Sequence, residues 1–599
     1  MDLRSPRALW RSFRQRARND ELFLILLAAI SGAIAAASVI ALRGLVVIMH
    51  HYLYRVPFQE YALSQALLKW WQPLGVLGLG GLAYGLLAFF IQRRRKQEPL
   101  DVIEANALHG GIMSFWDGVI ISLMTVGSVG LGASVGLEAG ATQLSAAVSS
   151  WLGRRFKLSR SSLRTMVGCG AAAAIAAVFN APIAGTFFAL ELVIGGYAVT
   201  ALVPVAVAAI VSTLTAHLIF DAKPIFYVVT PPMLNSNDYV LFGLLGLAAA
   251  VVGVAVMWAA TAFESLLRRA AIPAWLRPAA GGALVAGLGY LYPQILGTGH
   301  EVMAATLSDN VPADLIILLL GAKALASAIS IGSGFRGGLF SASLLLGGLL
   351  GTAYWNLCFH FFPTLIAVHS AYAVVGVGAV AAAIVGAPLT MILLVFEITS
   401  DYTMTLGVAV AAMVATVITR RWFGYSFSTW RFHIRGLGLK GAYDVSRMYE
   451  LTVRRVLDRD MFRVPAATKL ADLVREFARQ RQFLAFVHKD DGTFVGIVDS
   501  QSATAKIAEP GAGSDLTAGG LAQPQARLLT PDDRLSTALA VLDEMDFETA
   551  AVVMSPTDPR LVGCVHKAHL LRCLVEEADL MRREELGAVG LFAEEDRPR

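Results

Sequence analysis

Charge is what this sequence has least of. Only 16% of its 599 residues are Asp, Glu, Lys or Arg, where soluble domains carry about 25%, so a water-soluble globule is excluded for most of the chain. Cysteine is scarce as well: Cys169, Cys358, Cys564 and Cys573 show no CxxC or Cys/His ligand spacing, which indicates neither a disulfide framework nor a metal site. There is no GxxxxGK[ST] phosphate loop and no paired nucleophile and base, so an enzyme reading has no support and no cofactor is called for. The net charge of +5 is modest and its arginines are clustered, which suits membrane orientation better than nucleic-acid binding.

What is there is apolar surface. Hydrophobic residues make up 56% of the chain and mean hydropathy is +0.61, the composition of a polytopic membrane protein; from about residue 431 onward the sequence turns soluble and mixed in charge. Residues 1–20 hold Arg4, Arg7, Arg11, Arg14, Arg16 and Arg18. The apolar run that follows, Leu22 to about Met49, is too long for a cleavable signal, and the positive-inside rule puts this N-terminus in the cytoplasm. A second span, Leu74 to Ile91, ends in Arg93-Arg94-Arg95-Lys96. Between 98 and 215 the apolar pieces are mostly shorter than the roughly 20 residues of a full span. Broken helices are tolerated at membrane depth only where buried in protein or lining a cavity. A polar loop at about 221–238 precedes a second apolar half, roughly 239–427.

The chain is organised around the glycine-rich stretch 127–144, which runs through Gly136-Leu137-Glu138-Ala139 into a helical pattern. Glycines let a backbone approach an ion, and a helix start offers unpaired N–H groups to an anion. A carboxylate there mimics an anion: Glu138 can fill the site, then swing away or take a proton. An ionisable residue at membrane depth is by default a functional one. The two halves also repeat. Ala181-Pro182 precedes Glu191 and Ala387-Pro388 precedes Glu397, each pair of equivalents 206 residues apart. A second glycine loop, 332–340, contributes Gly338, Leu339 and Phe340, with Ser341 next; Arg336 beside it either concentrates anions or snorkels to an interface. Two such helix starts converging at the repeat interface form a midplane site suited to an anion and hostile to a cation.

Residues 22–435 resemble the CLC chloride channels and transporters. Gly136-Leu-Glu138-Ala-Gly140 is similar to that family's GREGP loop, and Phe179-Asn-Ala-Pro-Ile-Ala-Gly185 to its FNAPLAG segment. Gly332-Ser-Gly…Gly337-Gly-Leu-Phe340 and Phe396-Glu397-Ile-Thr-Ser-Asp-Tyr402 are similar to its GSGxxGGxFxP loop and FEMT-like segment. The resemblance implies an all-α membrane domain of two antiparallel repeats with broken helices and a homodimer with one pore per subunit. It implies Glu138 as the gating glutamate, with the anion held by amides around Gly136, Leu137, Ala139, Gly338, Leu339 and Phe340. The chain departs from the family at the inner site. Gln97-Glu98-Pro99-Leu100-Asp101 stands where a serine-bearing GSGIP loop is expected, and Ser428 stands where a tyrosine is expected, with Tyr425 one helical turn away. Leu192 occupies the place where exchangers carry a second, proton-relaying acid.

The tail reads as two similar units. Leu470, Leu473, Val474 and Phe477 form one helical stripe and Leu535, Ala538, Leu539, Leu542 and Met545 another. Strands 483–487 and 494–498 flank an Asp491-Gly492 hairpin turn, and 550–554 and 561–565 match them. This order resembles a pair of CBS modules. Ser502 and His569 replace the usual ribose-binding aspartates, which favours a structural or dimerising role over adenine-nucleotide binding. The expected organisation is a basic N-terminus (1–20), a membrane domain (21–435, halves about 22–217 and 239–430), a linker (436–450), two modules (451–508 and 517–575) and a charged tail (576–599). The expected function is gated, channel-like conduction of chloride across a cell membrane, with the N-terminus and tail cytoplasmic. Chloride/proton antiport, or transport of fluoride or nitrate, are the alternatives.

Overall fold

The structure, a computed structural model, describes residues 21–58, 63, 68–69, 71–95, 100–220, 234–308, 311–361, 363, 366–424, 426–428, 430, 451–509, 516–525, 527–544 and 548–585. The basic N-terminus, Glu98, Tyr425, Met545, the linker 436–450 and most of the charged tail lie outside the described residues. The chain divides into two compact units, with the boundary between Asp444 and Val445.

In the membrane unit, eight helices in the first half are answered by eight in the second, among the described residues. The first set is α1 (Glu21–Tyr54), α2 (Trp71–Arg93), α3 (Val102–Leu108), α4 (Phe115–Gly130), α5 (Glu138–Arg155), α6 (Arg160–Phe179), α7 (Pro182–Ile194) and α8 (Val199–Phe220). The second is α9 (Ser236–Arg269), α10 (Arg277–Leu291), α11 (His300–Leu307), α12 (Ala313–Gly332), α13 (Phe340–Phe361), α14 (His369–Val385), α15 (Pro388–Thr399) and α16 (Tyr402–Trp422). Eight of the described helices are long and apolar enough to cross a membrane; α3 and α7 are short, as the fragmented pattern between 98 and 215 predicts, and so are α11 and α15 in the second half.

Small residues set the packing, because lipid gives helices no hydrophobic reason to associate and close approach has to supply the attraction. The run Gly170–Val178 of α6 is buried along its length, and a β-carbon on Gly170 would stand 2.4 Å from the Ser145 carbonyl oxygen of α5. In the second half the same close approach joins α13 and α14, where a β-carbon on Gly351 would stand 2.1 Å from the Tyr372 carbonyl oxygen. Both α6 and α14 end on a left-handed residue, Asn180 (φ 55°) and Gly386 (φ 82°). An Ala-Pro follows each and starts the next helix, with proline at a first-turn position where its missing N–H costs nothing.

The two halves are joined by an exchange of carboxylates. Glu397 of α15 accepts from the N–H groups of Ile183 and Ala184 at the start of α7, at 2.8 and 2.7 Å. Glu191 of α7 accepts from Leu389 and Thr390 N–H at the start of α15, at 3.3 and 3.0 Å, and from the Thr390 hydroxyl at 2.8 Å. Each half therefore caps the broken helix of the other with the acid that the sequence repeat singles out.

In the C-terminal unit, β1 (Arg463–Pro465) runs parallel to β2 (Leu484–His488), which pairs antiparallel with β3 (Phe494–Asp499). The helix α17 (Leu470–Gln480) packs Leu470, Leu473 and Phe477 into this module's core. In the second module α18 (Leu535–Asp543) buries Leu535, Ala538 and Leu542, and β4 (Thr549–Val553) pairs antiparallel with β5 (Leu561–His566). Leu529 bridges Val552 in parallel, as β1 does β2. The ladders slip at equivalent places, Val487/His488 and Val552/Val553. At the hairpin, Gly492 takes φ 82° and Asp491 accepts from Thr493 N–H at 2.9 Å. Phe486, Ile497, Ala551 and Val553 share one cluster, so the sheets pack on each other.

Candidate functional site at Glu138

The two glycine loops meet. Gly136 N–H donates to the Gly338 carbonyl at 2.8 Å and Gly338 N–H returns a bond to Gly136 at 3.3 Å. This one antiparallel bridge aligns the starts of α5 and α13, each of which begins two residues after its bridging glycine. The Gly136 and Gly338 amides are thereby directed at each other. The amides of the first turns, beginning near Leu137 and Ala139 on one side and Leu339 and Phe340 on the other, have no partner within their helix.

Glu138 fills the junction and is 2% exposed. Its Oε1 accepts from the Ser341 hydroxyl of α13. The ring Nε2 of His300, on α11, lies 2.7 Å from Ser341 Oγ and 3.7 Å from Glu138 Oε1. A hydroxyl has one proton; with that proton on the carboxylate, His300 Nε2 is the donor to Ser341 Oγ. Glu138 Oε2 is buried without a hydrogen bond, pressed against Gly136 where a β-carbon would stand 2.0 Å away.

Two cavities end at this side chain. The first is lined by Arg43, His50, Leu137, Thr298, His300 and Glu301 among others. The second is lined by Asp101, Ala139, Gln143, Leu339, Phe340 and Ser428 among others, with Gly337 and Gly338. Glu138 is the one described residue common to both linings. The carboxylate thus borders both spaces.

In the first cavity the fixed positive charge is Arg43 of α1, whose guanidinium also donates to the Val178 carbonyl at 2.6 Å. Behind the wall, Lys323 of α12 is fully buried and its Nζ donates to the carbonyls of Ile295 and Gly297, at 3.0 and 2.9 Å. These bonds tie down the loop that delivers Thr298, Gly299 and His300. Burying an ammonium is costly unless carbonyls replace its water, so the lysine fixes the loop's shape.

In the second cavity Ser428 Oγ donates to the Val385 carbonyl at 3.2 Å. The Phe340 ring stacks on Phe179 at 4.9 Å. Asp101 caps its own helix, accepting from Ile103 N–H at 2.9 Å, and stands in the cavity lining. Leu192 is buried in the apolar core beside Glu191. Arg336 lines neither cavity; its backbone N–H donates to Tyr84 Oη and Ser128 Oγ. Sequence reasoning missed Arg43, His300 and Lys323. Arg43 had a signal, a lone cation within an apolar run. The other two take their meaning from contacts that no local pattern encodes. Among the described residues no group of three or more His, Cys, Asp or Glu is placed to hold a metal ion.

Residues 79–420 match the family described as Voltage gated chloride channel. The Voltage-gated ClC-type chloride channel ClcB of Salmonella dublin is 30% identical over 401 residues, covering 66% of this chain and 95% of that protein. A slow cyanobacterial Cl−/H+ antiporter has a TM-score of 0.60 at 21% identity, covering 69% of this chain and 98% of its own. A CLC-type fluoride/proton antiporter has a TM-score of 0.56 at 20% identity, covering 68% and 96%. At these identities the structural likeness speaks for the fold.

Proposed function

This chain belongs to the voltage-gated chloride channel (CLC) family of anion transport proteins, and we propose that it carries chloride through a path gated by Glu138. The observation that carries this reading is that Glu138 alone among the described residues lines both cavities, at the junction of two helix starts. Seated, the carboxylate takes the place of an anion beside the first-turn amides of α5 and α13. Protonated or displaced, it leaves that place to the ion. Leu339, Phe340 and Ser428 then line the way on, and Arg43 draws anions into the opposite cavity.

Channel-like conduction is favoured by Leu192, which offers no titratable group where exchangers of the family have an acid. The second reading, chloride/proton antiport, is favoured by the hydrogen-bonded chain that runs from His300 through Ser341 to Glu138 and draws on the fold shared with two antiporters. Fluoride or nitrate as the anion fits the altered second cavity, where Ser428 stands in for a tyrosine. The resemblance to the family further supports a homodimer with one path per subunit and cytoplasmic termini. The duplicated β-hairpin modules support a CBS pair with a structural role, since Asp499 of the first caps its own helix through Ser502 N–H at 2.7 Å.

The test is anion flux from liposomes of the purified protein, with proton movement recorded under a chloride gradient. Flux without protons makes it a channel; uphill proton movement makes it an antiporter. The variant Glu138→Gln is expected to raise basal flux and abolish its pH dependence, and flux indistinguishable from wild type at every pH removes the gate assignment.

A further inference from the structure

We propose that Ser341 and His300 form a proton relay that charges and discharges Glu138 from the cavity lined by Arg43. The inference rests on Glu138 being the gate and adds how its proton arrives. Three polar groups from three helices are aligned: Glu138 Oε1 on α5, Ser341 Oγ on α13 and His300 Nε2 on α11, with 2.7 Å between hydroxyl and ring. His300 also lines the first cavity, whereas Ser341 does not. The ring is the member of the trio that borders that space together with the gate itself.

The step balances within the trio. Starting from an imidazolium and an ionised Glu138, the Nε2–H bond breaks as its proton bonds to Ser341 Oγ. The Ser341 Oγ–H bond breaks as that proton bonds to Glu138 Oε1. The products are a neutral imidazole protonated on Nδ1, an unchanged serine and a neutral carboxyl group. The resting ring, protonated on Nε2 toward Ser341, becomes that imidazolium by taking a proton on Nδ1, and the reverse sequence discharges the gate and returns the ring to its resting tautomer.

The charges around the ring couple its proton to the gate. Arg43 of α1 and Lys323 of α12 oppose a cation there, while Glu138, 3.7 Å from Nε2, favours it, and Glu301 of α11 lines the same cavity. His50 of α1 lines the same cavity, and on its other side the ring meets Phe179 edge-on, with centroids 6.2 Å apart. An ionised Glu138 thus invites the proton that neutralises it.

The test uses the full chain in liposomes, with flux followed as a function of pH on the side of the first cavity. His300→Gln keeps a side-chain N–H donor for Ser341 but cannot titrate; Ser341→Ala breaks the chain at its middle. His300→Gln is expected to keep anion selectivity while the pH-driven change in flux slows by roughly 100-fold, the low end of what a positioned proton donor contributes; Ser341→Ala slows what remains of that change likewise and, having lost the hydrogen bond that seats Glu138, also raises basal flux. The double variant should be no slower than either single one, because a chain is broken once. Wild-type pH kinetics in both single variants overturn the relay. A Glu138→Gln protein with unaltered flux and pH response would instead overturn the gate, so the two failures are distinct.

Discussion

Gly136→Ala turns the geometry of the gate into a measurement. The β-carbon would stand 2.0 Å from Glu138 Oε2 and 3.2 Å from its Cδ, while the next neighbour outside that side chain, the Gly338 carbonyl oxygen, is at an ordinary 3.4 Å. The backbone at Gly136 is not left-handed, so alanine brings no strain of its own, and the one conflict is with the gate. To reach ordinary contact the carboxylate oxygen has to retreat by about 1.4 Å, which as a rigid group takes Oε1 away from Ser341. A hydrogen bond to a charged group contributes about 1.5–3 kcal/mol. At about 1.4 kcal/mol per decade, the seated fraction falls roughly 10- to 100-fold relative to the unseated one. Basal anion efflux from liposomes should rise and lose most of its pH dependence. The control is built in: a β-carbon on Gly338 meets Ala139 Cβ at 3.4 Å and Phe340 N at 3.9 Å, so Gly338→Ala should behave nearly as wild type. If the two alanine variants have the same flux and the same pH profile, the steric argument for where the gate sits is wrong.

Glu397→Gln replaces one acceptor with an amide donor facing the Ile183 and Ala184 N–H groups, at a cost of about 1–3 kcal/mol. The melting temperature of the detergent-solubilised protein should drop by several degrees. Glu191→Gln should cost less, since one oxygen retains both bonds from Thr390; equal melting curves for all three proteins would sink the capping account. In the C-terminal unit, burial pushes the Cys564 thiol up to about 12. Maleimide near neutral pH should label it only after urea opens the module, and rapid labelling of the folded protein in a Cys573→Ser background would contradict the burial.

The buried acid at the junction was legible because its signal is local: one acid in an apolar glycine loop running into a helix. The repeat was legible because the Ala-Pro and Glu pairs keep a common spacing, and it foretold the broken helices α7 and α15. What the repeat conveys is equivalence, not contact, so the exchange of Glu191 and Glu397 between halves had to be seen. The same limit hid the bridge between Gly136 and Gly338, which directs toward each other two amides that the sequence offers to an anion. His300 and Lys323 were invisible for a related reason. Each carries polarity into an apolar region, and only the folded chain shows the carbonyls or carboxylate that receive it.

Symmetry and its breach divide the labour at this interface. At the capping site the two halves carry the same residue, so each stabilises the other and neither can move without uncapping a helix. At the junction the bridge pairs Gly136 with Gly338, and two residues on the equivalents differ: Glu138 in one half, Phe340 in the other. Two helix starts therefore share a single carboxylate. Had both halves carried an acid, two like charges would crowd one buried site, and one would have to hold a proton permanently. With phenylalanine opposite, the gating we propose needs one titratable group to decide whether the site is filled from within or by an ion. The rigid part of the interface is its symmetric part, and the part that switches is where the repeat departs from itself.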